Sequence, residues 1–272
     1  MKEQTEYLGG DVLYLMPSAA HTQSMGIVLQ SDKGFVVIDG GTASESIPLE
    51  NLLEKLGGKV ESWFLTHPHH DHIQALTGIA ERGKIEIGKA YYDFPPEEYV
   101  AALETRDKRV SCVPAFEAAL KNAGINTEKP VKGRPIYAAG FTFTPLSTGI
   151  AFENDLNCSS IVYKVKTRGS DLLILGDMNY KRQQEVVDEY ADLLPSTVVQ
   201  MAHHGQQGVN EEFYKLVNPK VCLWCTPKWL WENDPVGKGY NSGPYKTLET
   251  RGWIEKLGAK NVNAFDEIAI LK

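Results

Sequence analysis

The chain predicts an α+β architecture, two β-sheets packed face to face with helices on the outer faces. Three observations predict it. Strand-like runs followed by helical runs occur twice along the chain, and an element with one apolar face must bury that face against another layer. Over 272 residues, 42% are apolar and 23% charged, ordinary values for a globular protein that can build a sizeable core. No linker, low-complexity tract or repeated motif breaks the pattern, so residues 1–272 are expected to form one domain.

The elements follow in order. "DVLYLMP" (11–17), "MGIVLQS" (25–31) and "GFVVIDG" (34–40) read as an opening meander, with "SDKG" as a hairpin turn. "SESIPLENLLEKLGG" reads as a helix, because Ile47, Leu49, Leu52, Leu53 and Leu56 roughly hold helical spacing and Gly57–Gly58 stop it. "VESWFLTH" is a strand, "HIQALTGIAERG" a helix with Asp71 as its N-cap, and "KIEIGKAYYDFP" another strand. Residues 95–125 read as two helices broken near Val113–Pro114. Strands follow at "FTFTPLS", "CSSIVYKVKT" and "SDLLILGD". Helices at 180–194 and 209–217 alternate with the strands "STVVQMA" and "KVCLWCT". A loop rich in Gly, Pro and Trp spans 226–244, and a helix near 245–257 with the strands "VNAF" and "EIAIL" completes the pattern.

Net charge is −7 and the pI about 5.6. That favours solubility and argues against a surface built mainly for polyanions, so there is no strong sign of nucleic-acid binding. Cys112, Cys158, Cys222 and Cys225 read as buried, reduced thiols. Cys222 and Cys225 form a C-x-x-C inside a strand-like run, where alternation points positions three apart to opposite faces. The N-terminal segment has no apolar signal core and no run approaches a membrane span. A soluble, cytoplasmic protein with no membrane partner is expected; oligomeric state is not legible.

Chemistry is concentrated in "THPHHDH", residues 66–72. Of seven histidines in the chain, four lie here, two more adjoin as His203 and His204, and His21 stands alone. Neutral imidazole is the commonest protein ligand for borderline cations, so this clustering points to a metal site. His67, His69, Asp71 and His72 fit H-x-H-x-D-H. On an extended turn over a strand tip, His67 and His69 can reach one cation while Asp71 and His72 turn toward a second. His70 is the spacer, on the surface or supporting the ligands from behind.

With these residues the chain resembles the metallo-β-lactamase superfamily over nearly its whole length. The resemblance implies an αββα four-layer sandwich with a one- or two-metal site at one edge. It also implies roles. Asp39, in "VVIDGGT", would support the metal-site loops. Asp177, in "LLILGD", would bridge two metals. One of His203 and His204, in "VVQMAHHG", would be the last imidazole ligand and the other would orient a ligand or touch substrate. "NDLNCSSIVY", "LLILGDM" and "MAHHG" resemble most the corresponding domain of competence-type DNA-uptake channel proteins, a branch with proposed nuclease or phosphodiester chemistry. The Gly-His-Pro of that branch appears here as "SGPYKT", without the histidine, and nothing here resembles its membrane portion.

One family feature is missing. The superfamily usually carries a further histidine before the strand that leads to Gly-Asp; here the stretch is "FENDLNCSSIVYKV". Asn157 is the nearest position, with Asn154 and Asp155 beside it. The first metal would keep His67, His69 and Asp177, completed by an amide oxygen or water. Zinc is the first expectation, with manganese or iron open for an oxygen-enriched site. His21 is a candidate substrate contact and, less readily, the missing ligand. Tyr240, Asn241, Trp229 and Trp231 either wall the pocket or pack as an ordinary loop.

The expected activity is metal-dependent hydrolysis at a mono- or dinuclear His/Asp site. A bound divalent cation lowers the pKa of water from about 15.7 to roughly 7; Asp71 and Asp177 would position the resulting hydroxide, and Asp71 could accept its proton. A phosphodiester or a small molecule is the expected substrate. A lactonase, thioesterase or amidase is the alternative hydrolase. A non-catalytic metal-binding or sensing module is the alternative of another class, supported by the missing histidine and opposed by the otherwise intact constellation. Redox chemistry on such a fold needs a diiron site and usually a flavin domain, and no flavin module fits.

Overall fold

The computed structural model describes residues 7–18, 22–104, 111–150 and 155–272. The first sheet is built from β1 (Val12–Leu15), β2 (Gly26–Ser31), β3 (Gly34–Asp39), β4 (Lys59–Phe64), β5 (Glu86–Tyr91) and β6 (Asn126–Glu128). The second holds β7 (Ile136–Ala138), β8 (Phe141–Pro145), β9 (Tyr163–Lys166), β10 (Asp171–Ile174), β11 (Val198–Gln200), β12 (Val221–Trp224) and β13 (Lys260–Asn263), and β14 (Ala269–Leu271) returns to the first. The orders are β14-β1-β2-β3-β4-β5-β6 and β13-β12-β11-β10-β9-β8-β7, seven strands each and both mixed.

The helices are α1 (Ser46–Lys55), α2 (His70–Arg82), α3 (Glu97–Glu104), α4 (Val113–Asn122), α5 (Tyr180–Tyr190), α6 (Glu211–Val217), α7 (Lys228–Trp231) and α8 (Thr247–Leu257). Three apolar clusters separate the layers. Leu49, Leu76 and Phe116 bring α1, α2 and α4 onto the outer face of the first sheet. Val186, Phe213 and Ile254 bring α5, α6 and α8 onto the second. Between the sheets, Ile27, Val36 and Phe64 meet Phe143, Tyr163 and Leu223. This is the αββα sandwich, with two mixed sheets covered on their outer faces by helices. Among the described residues no helix is long and apolar enough to cross a membrane.

Several local expectations meet the structure closely. The β2–β3 hairpin pairs Ser31 with Gly34 around Asp32–Lys33. Cys222 lies in the cluster beneath the helices and Cys225 in the cluster between the sheets; Cys158 is buried as expected, whereas Cys112, expected to be buried, is half-buried. The two helices expected in 95–125 are α3 and α4, and α4 starts at Val113 with Pro114 in its first turn, where its missing N–H costs nothing. Other elements differ. β6 and β7 are three-residue strands, too short to show alternation. Cys158 and Ser159 belong to a tight 3-10 turn, Leu156–Ser159, and the strand starts only at Tyr163. The 226–244 loop contains α7.

The inter-sheet contact is most concentrated where Phe64 stacks on Phe143, with ring centroids 3.8 Å apart and planes within 8°. Phe64 is the last residue of β4, just before the histidine turn, so this stack holds that turn against the second sheet. Phe143→Ala is expected to cost about 3–5 kcal/mol, read as a lower urea midpoint at unchanged slope.

Candidate metal centre

The carboxyl ends of parallel strands gather at one edge, the usual ligand position in parallel sheets. β3 runs parallel to β4 in the first sheet, and β10, β11 and β12 run parallel in the second. Asp39 ends β3, residues 65–69 follow β4, Asp177 follows β10, His203 and His204 follow β11, and Cys225 follows β12.

Local sequence shapes each loop. Gly176 has φ +55°, and a Cβ there would stand 2.8 Å from Thr66 Cβ, so a glycine lets the β10 loop close on the β4 turn. Gln200 locks that loop: its Oε1 accepts from the N–H groups of Leu175 and Gly176, both at 2.8 Å, and its Nε2 donates to the carbonyls of Gly176 and Met201. Asp177 N donates to Ser160 Oγ at 3.0 Å. After β11 the backbone turns through His203, His204 and Gly205, all with positive φ. A Cβ at Gly205 would lie 2.2 Å from the Trp224 ring. His69, in extended conformation, is the N-cap of α2, and Asp71 lies inside the first turn. Asp71 was expected to cap the helix; instead it lies within the first turn, where its Oδ2 stands 3.3 Å from His204 Nε2.

Hydrogen bonding sets which imidazole nitrogen faces inward. His72 Nδ1 lies 2.7 Å from Asp39 Oδ2, and a carboxylate only accepts, so Nδ1 carries the proton. His204 Nδ1 lies 2.8 Å from the Cys225 carbonyl, with the same consequence. Thr66 Oγ1 donates to Asp39 Oδ2 and therefore accepts from His67 Nδ1 at 3.1 Å. Each ring is thus anchored through Nδ1 and turns its Nε2 toward the others. A proton on the outer nitrogen, held by a carboxylate or carbonyl, is the arrangement metal-binding histidines use.

Among the described residues two groups of ligand-type atoms result, each within 4.8 Å: His67, His72 and Asp177; and Asp71, His72 and His204. Asp177 Oδ1 is 3.4 Å from His72 Nε2, while its Oδ2 is 3.4 Å from His204 Nε2 and 3.7 Å from His67 Nε2. The sequence pattern pairs His67 with His69. His69 Nδ1 does lie 2.9 Å from His67 Nε2, but His69 belongs to neither group. His203 stands at the rim, 18% exposed, with Nε2 3.9 Å from Asp177 Oδ2.

These residues fit a divalent cation. His72 Nε2, His204 Nε2, Asp71 Oδ1 and Asp177 Oδ1 are buried without a hydrogen-bond partner, a costly state for polar atoms unless something satisfies them. The electrostatics agree. Burial works against a charged His204, but Asp177 and Asp71 outweigh it and push the ring up to about 10. Burial likewise opposes a charged His72, and Asp177 and Asp39 raise it well above the usual range. Burial would raise Asp177, yet His204 and His72 hold it well below the ordinary carboxylate range. The centre favours positive charge between its two carboxylates.

The remaining sequence candidates spread out. Asp39 is fully buried behind the histidines. Asn157 is buried in the 3-10 turn before β9, its Oδ1 without a hydrogen bond. Tyr240 is 67% exposed, and Asn241 Oδ1 accepts from Asn233 Nδ2 within that loop. Trp231 packs edge-on against Trp224 and beneath the Arg251 guanidinium, and Trp229 packs on Tyr245. His21 and Asn154 lie outside the described residues. Sequence reasoning missed Thr66, Ser160 and Gln200; only Thr66, next to the motif, carried a signal.

Asp39 accepts from Thr66 N, Thr66 Oγ1 and His72 Nδ1. Asp39→Ala strands all three donors in a dry region, and a loss of about 3–5 kcal/mol is expected from the broken buried network, measured by chemical denaturation.

Comparison with known proteins places this geometry. A family model described as the metallo-beta-lactamase superfamily matches residues 20–221. ComE operon protein 3 of Bacillus subtilis (strain 168) is 24% identical over 221 residues, 74% of this chain and 26% of that protein, so the chain spans about a quarter of this relative. The metallo-beta-lactamase fold protein YhfI from Bacillus subtilis has a TM-score of 0.60 at 15% identity, covering 96% of this chain and 99% of the other. A diphosphatase from the PhnP family reaches 0.55 at 13%, covering 96% and 97%. CmlA, a diiron beta-hydroxylase from Streptomyces venezuelae, reaches 0.58 at 12%, covering 96% and 54%. At such identities the structural likeness shows the fold alone. The family model spans most of the chain, including the histidine turn, Asp177 and His204, and the chain belongs to the metallo-β-lactamase superfamily.

Proposed function

We propose that this protein is a metal-dependent hydrolase of small phosphodiesters. The observation that carries the reading is the buried set Asp71, His72, Asp177 and His204, whose inward atoms lack hydrogen bonds and whose imidazoles are oriented from behind by Asp39 and the Cys225 carbonyl. Asp71, His72 and His204 would hold one cation, and His67 with Asp177 a second. His72 Nε2 has a single lone pair, so Asp177, with two oxygens, is the group able to serve both. Asn157 stands where the family pattern has a histidine, and its amide oxygen is available to a cation or its water.

A bound divalent cation, zinc first with manganese or iron as alternatives, supplies an acidified water and stabilises charge developing on a phosphoryl oxygen. The chain's own residues do the rest. Asp177 and Asp71 would position the attacking water; Asp71 would take its proton and return it to the alcohol oxygen that leaves as the P–O ester bond breaks. His203, at the rim, contacts a substrate oxygen. The diphosphatase of the same fold and the resemblance to the DNA-uptake branch support phosphorus rather than carbonyl chemistry. The net charge of −7 favours a small substrate over a long polyanion, whose binding depends on neutralising many phosphates.

Elemental analysis tests the ligands. His204→Ala and Asp71→Ala are expected to lose bound metal, while His203→Ala keeps it; retention in His204→Ala would overturn the assignment. Asp177→Ala should lower hydrolysis of bis(p-nitrophenyl) phosphate by about 10²–10⁴-fold with an unchanged circular-dichroism spectrum. A chelator should abolish turnover and added zinc or manganese restore it. Turnover of lactone or thioester substrates in place of the phosphodiester would overturn the substrate class.

A further inference from the structure

Where the chain leaves the two loops that carry Asp177 and His204 it forms a cleft of about 210 Å³, whose lining includes Tyr180, Gln206, Gln207, Asn210, Lys246 and Trp253. It begins at the two loops that carry the centre. Tyr180 is the first residue of α5, three positions after Asp177, and Gln206 follows His204 by two. Cross-links hold these loops in place. Gln183 Oε1 accepts from Asn210 N at 2.9 Å, joining α5 to the 206–210 segment. Thr250 Oγ1 donates to the Gln206 carbonyl at 3.2 Å, joining that segment to α8. Gly208 completes the fit, since a Cβ there would lie 2.5 Å from Ala202 Cβ.

The lining has a definite chemistry. Tyr180 is 61% exposed although it is a large aromatic, and Trp253 is only partly buried against the core. Two aromatic side chains in one cleft offer stacking surface to a flat ring. The amides of Gln206 and Gln207 offer hydrogen bonds to a ring edge. Lys246 is the cation of the lining; its Nζ is 4.0 Å from Glu249 Oε2 and its side chain 60% exposed, a loose contact that leaves donors for an anion.

We propose that this cleft is a substrate subsite for a planar aromatic group joined to a phosphate, as a nucleoside monophosphate presents, with Tyr180 and Trp253 taking the ring and Lys246 a phosphate oxygen. The proposal rests on the phosphodiesterase reading and adds to it: the site distinguishes substrates by the ring next to the scissile phosphate. Specificity then comes from contacts outside the metal centre, and any base with a flat face is accepted more readily than a bare sugar.

Titration calorimetry of the purified protein with adenosine 5′-monophosphate, ribose 5-phosphate and adenosine tests this. The monophosphate is expected to bind about tenfold tighter than ribose 5-phosphate, as one stacked base supplies. Tyr180→Ala, an exposed change that leaves the core alone, should remove that advantage and leave ribose 5-phosphate affinity unchanged. Trp253→Ala should act in the same direction. Lys246→Gln should weaken both phosphates and spare adenosine. Equal binding of the two phosphates by the wild type, or an undiminished ring preference in Tyr180→Ala, would overturn the subsite. If phosphodiester hydrolysis proves absent while the ring preference persists, the hydrolase reading falls, and the cleft is left as a binding site for a ring and its phosphate, not a substrate subsite. Hydrolysis with no ring preference overturns the subsite alone.

Discussion

The carboxylate of Asp39 is the constraint through which the histidines acquire their orientation. It is fully buried, at a residue with φ +53°, and it accepts three hydrogen bonds from the turn beyond β4. One holds His72 directly. Another engages the Thr66 hydroxyl, which sets the proton on His67. A buried carboxylate with this many donors has few alternative arrangements, because any rearrangement leaves polar groups dry and unpaired. Two imidazoles therefore face inward because a single side chain behind them is saturated.

The other half of the centre depends on backbone strain held by the second sheet. His203 and His204 both occupy the left-handed region, which costs non-glycine residues roughly 1–2 kcal/mol each. Specific contacts offset it. His203 N donates to the Gly176 carbonyl at 3.0 Å, and Thr226 Oγ1 donates to the His204 carbonyl at 2.6 Å. The result aims His204 inward and leaves His203 at the rim. Adjacent identical residues thus take different positions, one against Asp71 and Asp177, the other toward the opening. The same turn delivers Gln206 to the neighbouring cleft, so the metal centre and its flanking surface share one strained segment.

Burial of the two carboxylates explains why the centre is cationic in preference. Asp71 and Asp177 both lie beside His204, and two such charges repel unless a positive charge sits between them. Imidazolium or a metal ion meets that need equally in electrostatic terms; inward Nε2 atoms without hydrogen-bond partners favour the metal. The fold supports several chemistries, as its hydrolase and diiron relatives show, and fold alone does not select among them.

Much of this was legible in the sequence, for physical reasons. Strand alternation and helical periodicity exposed most elements, because burial on one face imposes a period. Crowding of His67, His69, Asp71 and His72 after an apolar strand pointed to the site, since so many imidazoles in one turn suit a cation better than a solvated loop. Alternation alone placed Cys222 and Cys225 on opposite faces. The short strands β6 and β7 were silent, being too short for any period, and the N-cap of α2 was misplaced, since Asp71 lies within the first turn. The different positions of His203 and His204, the locking role of Gln200, and the cleft formed by Tyr180 and Trp253 were set only by tertiary structure. Each depends on residues brought from separate strands, and hydrogen bonds across that distance leave no periodic trace in the chain.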